Sequence, residues 1–534
     1  MTAAVARHAI VPRREAAFAG TRELVRLIVR RDRVALGLWV ILMAALPTGL
    51  VSAVEQGYPT EADRVAFAAG AAVNPAELAT RGPVFAATVG GLTAWTIASS
   101  AVLLGGVVNI LLVVRHTRAE EQAGRRELVG AGVLGRYAPL AAALVVVTVG
   151  NLAIAALVTA GLVAAGLPAA GGVALGLAIA AGGLLFAAVG AVAAQVAEGT
   201  GAANGIGFAV LGVLFALAAA GEVSRSWLVW LSPFGWSRRV QAFAGEQWAV
   251  FGLFALATAV PVVAAFVLSA RRDVGAGLLA ARPGPATAAR GLRSPIALTW
   301  RLDRGGILAW TAGLTLLGLL LGAAMASIGD QLDTAAFRDL TGTLGGGDPA
   351  EVFFRFILYV LAQVVTAFGL ATVLEMRGQE TGGLADAVLA TPVRRARWAI
   401  GQVAVAATGV VVGLAGLGLG AGVGYGTPLA VMGTTLAYAP ACLLFAGLAV
   451  ALYGWAPRLA APLTWTVFGL VLLLDLVGEF GLADASVLGL SPFVRTLGPL
   501  TVGSGLAGAL LVMSLIAVAL VAVGLAGLAR RDLD

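Results

Sequence analysis

Arginine, glutamate and glycine recur at one spacing in two polar segments of a very apolar chain, residues 115–136 and 375–397. Each segment contains Arg-x-x-Glu-x-x-Gly, and a second acid follows three residues after the glycine. This pattern favours a short charged helix that contacts another protein, and the alternative is a solvated loop that only sets topology. The residues of the pattern are Arg118, Glu121, Gly124, Arg125 and Glu127 in the first segment and Arg377, Glu380, Gly383 and Asp386 in the second.

One difference between the segments affects this interpretation. In the first, Glu121 precedes Arg125 by four residues, the favourable acid-first order for an ion pair on a helix. In the second, Leu384 stands at the position of that arginine. The acids are nevertheless repeated together with the arginines, whereas arginines alone are enough to orient a membrane protein. The repetition therefore favours the contact role.

Several catalytic chemistries are excluded by residue type. The chain has no lysine, so it can form neither a Walker A nucleotide site nor a lysine Schiff base. Its histidines are His8 and His116 and its single cysteine is Cys442, which argues against a zinc site and rules out an intrachain disulfide. We expect no catalytic residue, no metal and no cofactor bound by this chain.

Composition identifies a polytopic membrane protein. Hydrophobic residues make up 60% and charged residues 12% of the chain, and the mean hydropathy is +0.94. A membrane-spanning helix needs about 20 apolar residues. Twelve such windows occur, near 34–52, 91–114, 138–164, 171–196, 204–220, 248–269, 305–327, 353–375, 400–424, 428–453, 463–479 and 502–528.

The arginines orient these spans. If the N-terminus is cytoplasmic, most arginines fall in inner segments, whereas acids divide evenly between the two sides. Because the arginines flank apolar spans, the net charge of +7 indicates orientation in a bilayer and no nucleic-acid partner. The N-terminal segment is too long and too charged for a cleavable signal peptide. We predict a multi-pass protein of a bacterial plasma membrane with both termini in the cytoplasm.

An internal duplication is predicted from tetrapeptides that repeat in register. LSPF at 231–234 returns 259 residues later at 490–493, and ARRD at 270–273 returns at 529–532 with the same offset. Internal repeats determine architecture. The predicted organisation is a first six-span repeat, a cytoplasmic linker and a second six-span repeat, at residues 1–273, 274–290 and 291–534.

Each repeat begins with an amphipathic, arginine-rich segment, near 15–33 and near 292–304. Such segments are typical of helices that lie in the membrane interface, and the alternative is an ordinary positive flank of the first span. The predicted fold class is thus all-α and polytopic, with twelve transmembrane helices as two direct six-helix repeats. Interfacial helices begin the repeats, and cytoplasmic coupling helices follow the second span of each.

The repeated LSPF lies in a predicted outer segment before the last span of each repeat, at 224–239 and 485–500. Tryptophans there suit the membrane interface, and Ser-Pro interrupts a helix. Both a re-entrant segment and a plain interfacial loop fit this composition. The residues concerned are Trp230, Ser232, Pro233, Phe234, Ser491, Pro492 and Phe493.

Two features within the spans complete the pattern. Gly416, Gly420 and Gly424 form a ridge that favours close helix packing, or a sliding surface for alternating access. Four charged residues, Glu351, Arg355, Asp475 and Glu479, lie near the outer ends of spans, where we expect them to reach headgroup water. A proton-relay chain across the membrane is not evident.

Two six-span halves, amphipathic first segments and a cytoplasmic Arg/Glu/Gly segment after the second span resemble the permeases of type-2 ABC exporters. RAEEQAGRREL and the paired LSPF make the chain more similar to the fused twelve-span actinobacterial permeases named as polyketide-antibiotic (tetronasin-type) or multidrug exporters. The resemblance covers essentially the whole chain.

The resemblance implies a function in efflux. The segments after the second spans would be coupling helices for two copies of a separate ABC ATP-binding protein, which would bind ATP and Mg²⁺. The outer segments would close the exit for an amphiphilic small-molecule substrate, with membrane lipid around the bundle. Two other classes stay open from the residues: a twelve-span transporter driven by an ion gradient, and a membrane-embedded enzyme.

Overall fold

The protein is all-helical in the part that this computed structural model describes, which is residues 17–124, 134–273, 277–278, 287, 291–328, 349–479, 489–497 and 506–531. Twelve helices there are long and apolar enough to cross a membrane, as the hydropathy pattern predicts. The polytopic all-α fold is therefore confirmed. The chain divides into two compact units, Met1–Gly284 and Pro285–Asp534. The predicted repeat boundaries and the duplication itself stay predictions.

Where the structure describes it, the first unit contains six spans and several shorter helices. Its spans are α1 (Thr21–Gly57), α4 (Val89–Val114), α5 (Ala138–Ala164), α6 (Ala169–Val196), α7 (Thr200–Val223) and α9 (Val250–Arg271). Its shorter helices are α2 (Glu61–Val73), α3 (Pro75–Arg81) and α8 (Pro233–Arg239), with a 3₁₀ turn at Trp227–Leu231 before α8. Helix α4 continues as a π-helical turn, Arg115–Ala119, and a last turn, Glu120–Gln122.

Among its described residues the second unit also has six spans. They are α10 (Pro295–Ile328), α11 (Pro349–Thr381), α13 (Arg395–Tyr425), the pair α14 (Pro428–Leu436) and α15 (Ala439–Trp455), α16 (Pro457–Glu479) and α18 (Leu506–Arg530). Two short helices, α12 (Leu384–Leu389) and α17 (Pro492–Leu497), lie between spans in the described part of this unit.

The amphipathic segment that begins each unit is continuous with the first span. Helix α1 has 37 residues and no break, so it is about 56 Å long at 1.5 Å per residue. This exceeds the hydrocarbon thickness of roughly 30 Å. Its charged first half is attached to the end of α4, because Asp32 accepts a hydrogen bond of 2.9 Å from Arg115 and lies 2.9 Å from His116 Nε2.

Span packing follows the same order in both units. In the first unit α1 packs on α5, α4 on α6, and α6 on α9. In the second unit α10 packs on α13, α11 on α15, and α15 on α18. The first span thus contacts the third, the second the fourth and the fourth the sixth in each unit. Each core centres on the second to fourth spans.

The glycine ridge on α13 packs directly on the backbone of α10. A Cβ placed on Gly420 would lie 2.0 Å from the Thr315 carbonyl oxygen, and one on Gly424 would lie 2.4 Å from that of Leu319. On the facing helix, a Cβ on Gly322 would lie 2.0 Å from the Ala421 carbonyl oxygen. Small residues allow two helices to approach this closely. The packing role predicted for the ridge is confirmed.

Candidate functional site

The glutamate of the first Arg-x-x-Glu-x-x-Gly pattern is buried between two arginines. Glu121 Oε2 accepts a hydrogen bond of 2.8 Å from Arg118 Nη1, one turn earlier. Arg272, which directly follows α9, donates to both carboxylate oxygens at 2.8 Å. The Glu121 side chain is only 2% exposed. We call Arg118, Glu121 and Arg272 the first clamp.

The first clamp joins the ends of several spans, which are the cytoplasmic ends in the predicted topology. Arg118 Nε donates to the carbonyl oxygen of Glu198, which follows α6, at 2.6 Å. Arg272 Nε donates to Gln195 Oε1 in the last turn of α6 at 2.7 Å. Arg136, before α5, donates to the carbonyl oxygens of Ser269 and Arg272. The ends of α4, α6 and α9 and the approach to α5 are thus held at one point.

The second unit contains a corresponding cluster. Arg531 donates to Glu380 Oε1 at 2.9 Å and to Oε2 at 3.0 Å, and Arg377 Nη1 lies 3.3 Å from Oε2. The Glu380 side chain is 1% exposed. Tyr453, near the end of α15, donates its hydroxyl to Oε2 at 2.7 Å. Arg395, at the start of α13, donates to the Arg531 carbonyl oxygen. We call Arg377, Glu380 and Arg531 the second clamp.

Burial makes the charge pairing in these clusters necessary. Desolvation lowers the pKa of Arg272 from its ordinary value. An isolated charge in such surroundings is expensive, and a bidentate guanidinium–carboxylate contact offsets much of that expense. One carboxylate faces two guanidinium groups in each clamp. The buried glutamate is therefore needed to hold both arginines where they are.

The glycine of each pattern ends the helix that carries the clamp. Gly124 has φ 67° and Gly383 has φ 73°, both in the left-handed region. Glycine adopts this conformation without the strain that a Cβ would introduce, and it commonly terminates helices. The arginine and glutamate of each pattern thus face the bundle from the end of the helix, and the glycine three residues after the glutamate ends that helix.

The remaining residues of the predicted contact segments have different positions. Arg125 and Glu127 lie outside the described residues, as does the predicted helical pair between Glu121 and Arg125. Asp386 lies on α12 and is exposed. Beside it Leu384 is 67% exposed. In the second unit α12 therefore offers an apolar and an acidic side chain to solvent.

Sequence reasoning missed Arg272, Arg531, Arg136 and Arg395 as members of these clusters. A signal was available, because ARRD repeats with the same 259-residue offset as the two glutamates. A repeated base and a repeated acid at one offset are candidates for a repeated ion pair. Residue 272 and residue 531 are the third residues of the two ARRD copies.

The repeated LSPF segments adopt matching local structures. Ser232 caps α8 by accepting a hydrogen bond of 3.2 Å from the Phe234 N–H, and Ser491 accepts one of 3.2 Å from the Phe493 N–H. Proline then occupies the first helical position, where its missing N–H costs nothing. Ser-Pro here starts a short helix.

The phenylalanine of each LSPF is an anchor in the core. Phe234 and Phe493 are both 0% exposed. The Phe234 ring centroid lies 5.7 Å from that of Phe186 on α6, and the Phe493 centroid lies 5.7 Å from that of Phe445 on α15. By contrast Trp230 is exposed, which suits the predicted interfacial belt. The outer-gate role of these segments stays a prediction.

An ion-pair cluster that the sequence did not reveal supports the first of these segments. Glu222 accepts a hydrogen bond of 2.6 Å from Arg239 and lies 3.6 Å from Arg238 Nη1. Arg238 also donates to Ser99 Oγ at 2.9 Å. Burial lowers the pKa of Arg238 to about 10. The cluster ties α8 to α4 and to the end of α7.

The expectation that Asp475 reaches headgroup water is wrong. Its side chain is buried, with the residue 3% exposed, and it accepts a hydrogen bond of 2.8 Å from Gln363 on α11. A residue near a span end can lie either in headgroup water or inside the protein. Packing of α16 against α11 places Asp475 inside the protein. Arg355 is exposed as expected, and the side chains of Glu351 and Glu479 lie outside the description.

The twelve spans and the buried, structural use of the charged groups define an integral membrane permease. Within the described part of the chain, no group of three or more His, Cys, Asp or Glu residues could hold a metal ion. The chain belongs to the family of the multidrug efflux system permease Rv1217c. The family model of that permease's C-terminal domain matches residues 292–528.

Sequence identity to a named member of the family extends over almost the whole chain. The chain is 39% identical over 495 residues to the multidrug efflux system permease protein Rv1217c of Mycobacterium tuberculosis (strain ATCC 25618 / H37Rv). The alignment covers 91% of this chain and 90% of that protein. The resemblance to multidrug exporter permeases is therefore confirmed, and the chain is a multi-pass transport permease.

Proposed function

We propose that this chain is the transmembrane subunit of an ATP-driven exporter of amphiphilic, drug-like or antibiotic molecules. Two copies of a separate ABC ATP-binding protein would supply the energy, and they would bind the ATP and Mg²⁺. The permease would bind no cofactor and catalyse no reaction of its own. It would lie in a bacterial plasma membrane with both termini in the cytoplasm.

The observation that carries this proposal is the recurrence of one buried clamp beside a charged segment in each unit. Glu121 and Glu380 occupy the same position relative to the second span, and Gly124 and Gly383 end that span's helix alike. Two similar segments provide two docking positions for one kind of partner. The absence of lysine supports an energy source outside the chain, since no Walker A motif can form.

In the second unit the docking surface would be α12. Its exposed Leu384 supplies an apolar anchor, and exposed Asp386 supplies an acid that a basic residue of the partner can pair with. Both side chains are free to be changed without disturbing the second clamp. They are therefore the sites for testing partner binding.

The test is purification of the tagged chain from its native membrane in mild detergent. We expect two copies of a P-loop ATPase per permease, identified by mass spectrometry, and vanadate-sensitive ATP hydrolysis. Leu384→Arg with Asp386→Arg should remove about one of the two copies. A permease that retains no ATPase under gentle extraction would contradict the proposal.

A transporter driven by an ion gradient is the second candidate, and buried Asp475 is the observation that favours it. Ionisable residues inside spans commonly serve proton or substrate pathways. Asp475→Asn removes the titratable group and leaves an acceptor for Gln363. In the ATP-driven exporter, substrate flux should survive this change and stop on ATP depletion. Flux that stops in Asp475→Asn and on collapse of the proton gradient would favour the alternative.

A further inference from the structure

Each clamp connects two points of the chain that are far apart in sequence. Glu121 and Arg272 are separated by 151 residues, and so are Glu380 and Arg531. In both pairs the acid belongs to the end of the second span and the base directly follows the sixth span. The ends of the second and sixth spans of each unit are therefore joined to each other beside the charged segment.

A third contact adds the fourth span to each clamp. In the first unit Gln195 on α6 accepts from Arg272 at 2.7 Å. In the second unit Tyr453 on α15 donates to Glu380 at 2.7 Å. The fourth spans also carry Phe186 and Phe445, which pack on the phenylalanines of the two LSPF segments. A continuous set of contacts thus runs from the charged segment, through the fourth span, to the LSPF segment in each unit.

The pairing is stiff for an electrostatic reason. Both oxygens of each glutamate are occupied, and the side chains are almost completely removed from solvent. Displacement of the second-span end alone would leave charged groups buried without partners, which is far more unfavourable than moving the attached ends together. The second and sixth span ends should therefore move as one body.

We propose that the two clamps are the coupling elements of this permease. In this proposal, which rests on the proposed function, the partner ATPase contacts the two charged segments. The clamps pass the displacement of these segments to the fourth and sixth spans. Glu121, Arg272, Glu380 and Arg531 are thus positioning residues, which touch neither ATP nor the transported molecule.

The Tyr453 hydroxyl group sharpens the proposal. It donates a hydrogen bond to Glu380 in addition to the contacts of that glutamate with its arginines. Loss of Arg531 leaves Glu380 with Tyr453 and Arg377. Adding Tyr453→Phe to Arg531→Gln should therefore impair coupling further than Arg531→Gln alone.

The experiment uses the permease co-purified with its ATPase and reconstituted into liposomes with a fluorescent amphiphilic dye as the probe. Variants are Glu121→Gln, Arg272→Lys, Arg272→Gln, Arg531→Gln and the exchanged pair Glu121→Arg with Arg272→Glu. Glu120→Gln is the matched control, because this neighbouring acid pairs with Arg31, whose side chain is 42% exposed. Subunit stoichiometry, melting temperature and dye flux per ATP hydrolysed are measured for each.

We expect the clamp variants to retain their ATPase copies while dye flux per ATP falls roughly 5-fold to 150-fold, the usual range for coupling between two sites. Arg272→Lys should fall least among the Arg272 variants, since lysine keeps the charge but loses the bidentate fork. The exchanged pair should recover part of the flux. Glu120→Gln should behave as the unmodified protein.

Three results would overturn the clamp proposal. Unchanged flux per ATP in Arg272→Gln would show that the clamp transmits nothing. Loss of ATPase copies from Arg272→Lys, which keeps its charge, would show a docking role in place of coupling. If a variant unfolds, the melting temperature reveals it, and equal flux in Arg531→Gln with and without Tyr453→Phe would contradict the proposal independently. An unmodified permease without ATPase would instead refute the proposed function.

Discussion

Arg272 donates hydrogen bonds of 2.8 Å to both carboxylate oxygens of Glu121, which lies 151 residues earlier in the sequence. The same separation joins Arg531 to Glu380. In the structure, two charged sequence patterns that predict short cytoplasmic contact helices therefore contain buried junctions between the second and sixth spans.

Removal of a clamp glutamate should strongly destabilise the protein. Glu380→Ala leaves Arg377 and Arg531 facing each other in a buried site, and breaking a buried pair costs about 3–5 kcal/mol. Glu120→Ala breaks a partly exposed pair with Arg31, and such pairs contribute about 0–1 kcal/mol. Thermal melting of the two variants in one detergent checks this. Similar melting temperatures would contradict the buried pairing.

The glycine ridge should tolerate no side chain at its centre. Gly420→Ala places a methyl group against the Thr315 carbonyl oxygen, and overpacking of this kind costs about 1–3 kcal/mol. Gly433→Ala is the control, because nothing lies within 4 Å of its position. Alanine at position 433 should raise the free energy of unfolding by about 1 kcal/mol at most, because alanine has the higher helix propensity. Unfolding curves should move in opposite directions, and a shift in the same direction would count against close packing.

The LSPF segments should depend on phenylalanine rather than on tryptophan. Phe234→Ala and Phe493→Ala each empty a fully buried position, at a cost of about 3–5 kcal/mol. Trp230→Ala removes an exposed ring whose centroid lies 5.5 Å from the Arg239 guanidinium, a contact worth about 1 kcal/mol. Equilibrium unfolding of the three variants tests the order. A larger loss in Trp230→Ala would mean that the surface position is the important one.

The lowered pKa of Arg238 predicts a specific dependence of folding stability on pH. Burial lowers its pKa to about 10 in the folded protein, well below the ordinary value of an arginine. Between the folded and the unfolded pKa the unfolded chain binds more protons than the folded chain, so this group's contribution to stability rises with pH there. Its unfavourable effect is fully present below about pH 10.

Glu222→Gln should make that response visible. Without the glutamate, charged Arg238 and Arg239 repel each other, so the variant should melt well below the unmodified protein at pH 7. The deficit should shrink when both proteins are compared at pH 10.5, because Arg238 then loses its proton more readily. A deficit that is equal at the two pH values would exclude Arg238 as the group responsible.

Hydropathy was sufficient for the number and place of the spans. Each window of about 20 apolar residues became a helix, or in the tenth span the pair α14 and α15, that contains it or differs from it by a few residues. The reason is that the bilayer requires every backbone polar group to be satisfied within the segment. The twelve spans, the permease class and the packing role of Gly420 were therefore predictable. The continuity of α1 was not, since a run of arginines reads equally well as a separate surface helix.

Tertiary structure decided which charges meet. The sequence alone determined that Glu121 and Glu380 repeat, and for Glu121 helical spacing pointed to Arg125, which lies outside the described residues. The bidentate partners of the two glutamates follow the sixth spans, at Arg272 and Arg531. Asp475 likewise accepts a hydrogen bond from Gln363, although its position near a span end indicated contact with headgroup water. Local spacing predicts contacts within one helix, whereas an ion pair between distant helices exists only after packing has brought their ends together and excluded water.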